Sequence, residues 1–112
     1  MIVHHYQTAS GRDLILEFIL SLPNAEKVDG LTVLENFKND KLDELYIKPW
    51  QGKVWEVYFY KHNRIFYVTI DGKDVYLLHA CKKQKNKTEK KDKEIVIKRA
   101  KELGNLLSKK II

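Results

Sequence analysis

Residues 54–81 read VWEVYFYKHNRIFYVTIDGKDVYLLHAC, and the period of two in this stretch decides the fold. Trp55, Val57 and Phe59 fall on one side of an extended chain, and Glu56, Tyr58 and Tyr60 on the other. Lys61, His62 and Asn63 turn the chain into residues 64–70, which are rich in β-branched and aromatic side chains. Asp71-Gly72 is a hairpin signal ahead of residues 75–81. These three runs predict an antiparallel meander.

Upstream of the meander, residues 42–48 read as a further strand, which Pro49 should close because it has no N–H to give a ladder. Asn39 and Asp40 form a break before it. Leu14, Ile15, Phe18, Ile19 and Leu22 recur at spacings of three and four, one stripe of a helix capped by Ser10 and ended by Pro23. A second helix is predicted over residues 24–37, its buried side marked by Val28, Leu31, Leu34 and Phe37. Gly30 in its middle costs about 1 kcal/mol relative to alanine. Residues 2–6 suit a short edge strand. Downstream, Thr88 can cap a helix running to about residue 107, with Val96, Ala100, Leu103 and Leu107 near one side. The order βααββββα predicts an α+β fold, one domain over residues 1–112, with helices on one face of the sheet and the other face left to water and ligand.

The chain has 112 residues, enough for one core, and its 44 % apolar content against 32 % charged marks a folding sequence with a solvated surface. A single cysteine, Cys81, makes no internal disulfide. The first residues lack the charged-then-apolar pattern of a secretory leader, and the apolar runs fall short of a membrane span. A cytoplasmic location and no membrane partner are therefore expected. Charge is unevenly placed: residues 1–78 carry 9 Lys+Arg against 11 Asp+Glu, or −2, whereas residues 79–112 carry 12 against 4, or +8. Such polarity points to a polyanion, with RNA or DNA ahead of an acidic protein.

Several chemistries lack their parts. The chain has no GxxxxGK[ST] or GxGxxG phosphate loop, no HExxH and no CxxC pair, so neither a metal nor a cofactor is expected. His79 and Cys81 share a side of their strand, but a strand cysteine is more often a small core residue than a nucleophile. The densest signal is Lys82-Lys83-Gln84-Lys85-Asn86-Lys87-Thr88, which leaves the last strand and leads into the last helix. Its lysines can neutralise phosphates. Arg64, Tyr58, Tyr60, Tyr67 and His79 lie on the strands beside it, and tyrosines there can stack on unpaired bases. Arg64 also has Glu56 or Asp74 as a possible ion-pair partner.

The series Lys48-Pro49, Val54-Trp55-Glu56, Arg64-Ile65-Phe66-Tyr67, Leu77-Leu78-His79, Lys82-Lys83 and Lys87-Thr88, then a Lys/Glu helix with Arg99, resembles the phage-derived Gp49-like or HigB-like group of the RelE/ParE toxin superfamily. That resemblance implies a compact toxin of a type II toxin–antitoxin system, held inactive by a helix-turn-helix antitoxin. It implies a metal-independent endoribonuclease that cuts mRNA at the ribosome through the substrate's own 2′-hydroxyl, leaving a 2′,3′-cyclic phosphate. Arg64 then fits the strand arginine at the scissile phosphate, and Lys83 with Lys82 or Lys85 the basic positions after the last strand; His79, with an ordinary pKa of about 6.5, suits acid/base work or a structural hydrogen bond equally. Lys82, Lys85, Lys87 and Tyr60 are the expected RNA contacts. Where relatives commonly read Trp-Glu-Leu-Arg, this chain has Trp55-Glu56-Val57-Tyr58, which leaves Tyr58 as proton carrier or stacking platform. The alternatives are a ParE-like toxin acting on gyrase and a non-catalytic RNA-binding phage accessory protein.

Overall fold

A computed structural model describes residues 1–83 and 88–112. The elements are β1 (Ile2–His5), α1 (Leu14–Leu20), α2 (Asn24–Lys38), a short 3₁₀ turn (Leu42–Glu44), β2 (Tyr46–Gln51), β3 (Val54–Phe59), β4 (Asn63–Ile70), β5 (Asp74–Lys82) and α3 (Lys90–Leu107). They form the α+β fold that the pattern predicts. The sheet order is β1-β5-β4-β3-β2. The meander is antiparallel from β2 to β5, and β1 joins it parallel to β5.

The helices divide between the two faces of the sheet instead of sharing one. On the first face α1 and α2 bury Ile15, Ile19, Val33 and Phe37 against Val57, Ile65, Tyr67 and Leu77. On the second, α3 lays Val96, Ala100 and Leu103 over Val54, Phe66, Val68 and Leu78. Because both faces carry apolar side chains, β4 is buried through most of its length. The face left open to ligand is therefore only the end of the second face that α3 does not reach.

Three local readings are corrected. The α1 cap is Asp13, whose side chain accepts from Leu16 N at 2.9 Å, while Ser10 lies outside the helix. Residues 42–44 turn, and β2 then runs through Pro49 to Gln51, with Pro49 opposite Trp55 and a register shift after it. An edge strand tolerates proline because its outer N–H positions have no partner to lose. Finally, α3 begins at Lys90 after Glu89, and Thr88 makes no cap.

A bulge in β5 matters more for the site. Phe66 pairs with His79 and Tyr67 with Leu77, so Leu78 is the extra residue. Strict alternation from Leu77 would have turned His79 and Cys81 toward α1 and α2. The bulge places them instead opposite Phe66 and Arg64 on the second face. The Leu78 carbonyl, released from the ladder, accepts from Arg99 Nη1 of α3 at 2.8 Å.

Gly30 is buried where α2 crosses α1 and β3, and a Cβ there would lie 3.0 Å from both Ile19 Cγ2 and Phe59 Cε2. Neither neighbour has room to yield, since Ile19 and Phe59 are themselves core. Gly30→Ala should therefore lose stability despite gaining about 1 kcal/mol of helix propensity, by a net of about 1–2 kcal/mol from overpacking. Thermal unfolding checks this, with a lower Tm expected.

Candidate active site

The open end of the second face gathers charged and aromatic residues from β2, β3, β4, β5 and the approach to α3. Register sets the first of them: Tyr58 pairs with Arg64, and Glu56 with Phe66, so Glu56 and Arg64 are diagonal neighbours. Both are buried, at 2 % exposure each, a state that charged side chains reach only when paired. Arg64 Nη1 lies 3.2 Å from Glu56 Oε2. That contact is an ion pair without hydrogen-bond alignment, since Oε2 has no hydrogen bond among the described residues. The other carboxylate oxygen, Oε1, accepts from the Tyr58 hydroxyl at 2.7 Å and lies 3.3 Å from Lys48 Nζ.

Around this pair the positive charge exceeds the negative. Lys48 and Lys83 ammoniums lie 5.1 and 4.9 Å from the Tyr58 ring centroid, and the Arg64 guanidinium carbon lies 5.5 Å from it. Three cations thus surround one aromatic ring and one carboxylate, a local surplus of two charges at the rim of the sheet. Burial, reinforced by the bond to Glu56, holds the Tyr58 phenol above its ordinary pKa, so it remains protonated at neutral pH. Lys48 is held above its ordinary value chiefly by its contact with Tyr58. Arg64 Nη1 also donates to Thr88 Oγ1 at 2.9 Å, and its Nε is buried without a hydrogen-bond partner among the described residues.

The other expected residues have separate fates. Lys82 and Lys83 diverge: Lys82 Nζ reaches Glu26 Oε1 of α2 at 3.0 Å, on the first face, while Lys83 turns to Tyr58. Lys85 and Lys87 lie outside the described residues. Tyr60 leaves the strand in a left-handed turn, at φ 47°, with its ring half exposed. Tyr67 belongs to the core edge-on to Phe37, its hydroxyl pushed up to about 12 by burial.

His79 sits deeper than a solvent-facing base. Its Nε2 is 2.8 Å from Asp92 Oδ1 in the first turn of α3, and its Nδ1 faces Arg99 Nη1 at 3.5 Å. That pair of neighbours is consistent with a neutral ring, donating from Nε2 and accepting at Nδ1. Burial lowers the His79 pKa from its ordinary value, against the opposing effect of Asp92, and so favours the same neutral form. Cys81 lies beside them, its thiol pushed up to about 12 by burial, so it is a poor nucleophile. The donor atoms of His79, Cys81 and Asp92 fall within 4.8 Å of one another. A metal-bound imidazole normally gives its second N–H to an acceptor, whereas here a guanidinium faces that nitrogen, so the trio is not suited to a metal.

Thr88 and Tyr46 are the residues that pattern reading missed; of the two ion-pair partners it offered Arg64, the structure takes Glu56, and Asp74 pairs with His4 instead. Glu56 shares the polar side of β3 with Tyr58, a signal that alternation does contain. Tyr46 pairs with Tyr58 and is 81 % exposed, an open aromatic beside the cationic ring. Thr88 had the expected role of a helix cap, and its actual partners, on two different strands, leave no trace in local spacing. A separate cleft of about 270 Å³ lies between β1 and α3, lined by Tyr6, Tyr76 and Leu103 among others.

A family model described as Phage derived protein Gp49-like (DUF891) matches residues 17–101. No curated protein matches the chain. No helix among the described residues is long and apolar enough to cross a membrane.

The buried pair makes a stability prediction. Removing one partner of a buried ion pair costs about 3–5 kcal/mol. Arg64→Ala leaves Glu56 with Lys48 and Tyr58 and should fall at the low end, whereas Glu56→Ala deprives three groups at once and should cost more. Urea denaturation of the two variants should show that order, with Glu56→Ala unfolding at the lower urea concentration.

Proposed function

The chain belongs to the phage-derived Gp49-like family, a family of RelE/HigB-like toxins, and from that premise we propose that it is a metal-independent endoribonuclease cutting mRNA at the ribosome. The observation that carries this reading is the buried Arg64 guanidinium, whose Nε–H has no hydrogen-bond partner among the described residues and lies beside Lys48, Lys83 and Tyr58. A buried donor without an acceptor is costly unless a ligand supplies one, and a phosphodiester offers only acceptors.

In this mechanism the 2′-oxygen attacks the adjacent phosphorus as the bond to the 5′-oxygen breaks, leaving a 2′,3′-cyclic phosphate. The 2′-hydroxyl proton passes to water. Arg64 and Lys83 stabilise the charge that develops on the phosphoryl oxygens, in a pocket where partial burial strengthens their fields. The protonated Tyr58 phenol supplies the proton that the departing 5′-oxygen needs. His79 acts as a positioning residue, since both ring nitrogens are engaged with Asp92 and Arg99. Lys82, Lys85, Lys87 and Tyr60 contribute contacts to RNA beyond the scissile step, the lysines adding salt dependence. The surplus of +8 in residues 79–112 suits a cognate helix-turn-helix antitoxin whose acidic or amphipathic segment covers this face.

Arg64→Lys tests this with least damage, because the charge opposite Glu56 is kept while the planar fork is lost. Wild-type protein under inducible expression should create new mRNA 5′ ends inside coding sequences, and Arg64→Lys should lower their yield by about 10²-fold with the fold retained. A DNA-damage response without new ends would point to gyrase as the target. Neither effect would leave an RNA-binding accessory protein.

A further inference from the structure

Thr88 touches two strands of the site from outside the sheet. Its Oγ1 accepts from Arg64 Nη1 at 2.9 Å and from Trp50 Nε1 of β2 at 3.1 Å. A hydroxyl has two acceptor lone pairs and one hydrogen, so these two bonds use its entire accepting capacity. Its remaining capacity is to donate. The Trp50 ring is itself fixed edge-on against Phe66, with centroids 5.1 Å apart, and Arg64 lies over the same Phe66 ring at 5.6 Å. Phe66 is fully buried. Thr88 therefore completes a rigid frame of Trp50, Phe66 and Arg64, and among the described residues its hydroxyl hydrogen has no acceptor.

We infer that Thr88 is a positioning residue for Arg64 whose hydroxyl also donates to an oxygen of the bound RNA phosphate. The inference rests on the ribonuclease reading for its substrate, and on the two hydrogen bonds for its geometry. The His79–Asp92 contact serves the same end. It fixes the first turn of α3, four residues beyond Thr88, to β5. Charge complementarity favours phosphate over any neutral acceptor, since Arg64, Lys48 and Lys83 outnumber Glu56 at this rim.

Thr88→Val preserves shape and removes the hydroxyl, and Thr88→Ser keeps the hydroxyl. Hydrogen bonds to charged groups contribute on a scale that makes the loss about 10- to 100-fold in single-turnover RNA cleavage for Thr88→Val, with Thr88→Ser recovering to within about threefold. In the Arg64→Lys background Thr88→Val should cost less than it does in wild-type protein, because the part of its effect that acts through Arg64 is already lost. A binding readout stands apart from cleavage: a 2′-O-methyl oligoribonucleotide should shift the Trp50 indole N–H resonance in wild-type protein and Thr88→Ser, but not in Thr88→Val. Full cleavage by Thr88→Val would overturn the inference. So would equal losses in both variants alongside equal losses of Tm, or fully additive losses with Arg64→Lys. If wild-type protein cleaves no RNA yet shows the indole shift with the stated variant pattern, the ribonuclease reading fails and the phosphate contact of Thr88 stands. If wild-type protein shows no shift, the inference falls whatever the cleavage result.

Discussion

Two opposite charges, Glu56 and Arg64, lie at 2 % exposure on neighbouring strands of a sheet packed on both faces. Neither could stay there alone, because an unpaired buried charge is among the costliest features a small domain can hold. Their attraction leaves both partly unsatisfied: Glu56 Oε2 and Arg64 Nε find no hydrogen bond among the described residues. The arrangement is stable enough to persist and incomplete enough to accept another polar group. Lys48, Tyr58 and Thr88 are arranged about this pair, and through them β2, β3 and the approach to α3 meet at one place.

The layers on either side make such burial possible. With α1 and α2 on one face and α3 on the other, β4 runs through the middle of the molecule, and Arg64 near its start is shielded although it sits close to the sheet's end. The Leu78 bulge does the complementary work in β5. By shifting register once, it turns His79 toward α3, where Asp92 and Arg99 hold its ring. Rigidity at the proposed phosphate site has a clear use, because electrostatic stabilisation is greatest when the donors need not reorganise.

Much of the fold was legible in the chain. Alternation in residues 54–60 separated the core side, Val57 and Phe59, from the polar side, Glu56 and Tyr58, and the structure keeps that division. Helix α1 followed from threes and fours ending at Pro23; α2 was placed, but its buried side was not, since Val28 and Leu31 are exposed while Gly30, Val33 and Phe37 are buried. What escaped was long-range. Amphipathic spacing says which side of α3 is buried but not which face of the sheet buries it, and a bulge depends on a register between two strands that neither strand encodes alone. Pro49 was read by its missing N–H, correctly in chemistry, but an edge position removes the consequence. In the site, Arg64 was found from its strand and neighbours, with Glu56 as one of two possible ion partners, while the depth at which that pair is buried and the bond to Thr88, 24 positions away, have no local signature.

The central claim is that Arg64 is a buried guanidinium reserved for a phosphate. It is tested most directly by following the Arg64 Nε–H resonance of the free protein by NMR, then adding a 2′-O-methyl oligoribonucleotide. The signal should be protected from solvent exchange before addition and should shift toward a hydrogen-bonded position on binding. A fast-exchanging signal like that of a surface arginine, or a protected one that RNA leaves unmoved, would contradict it.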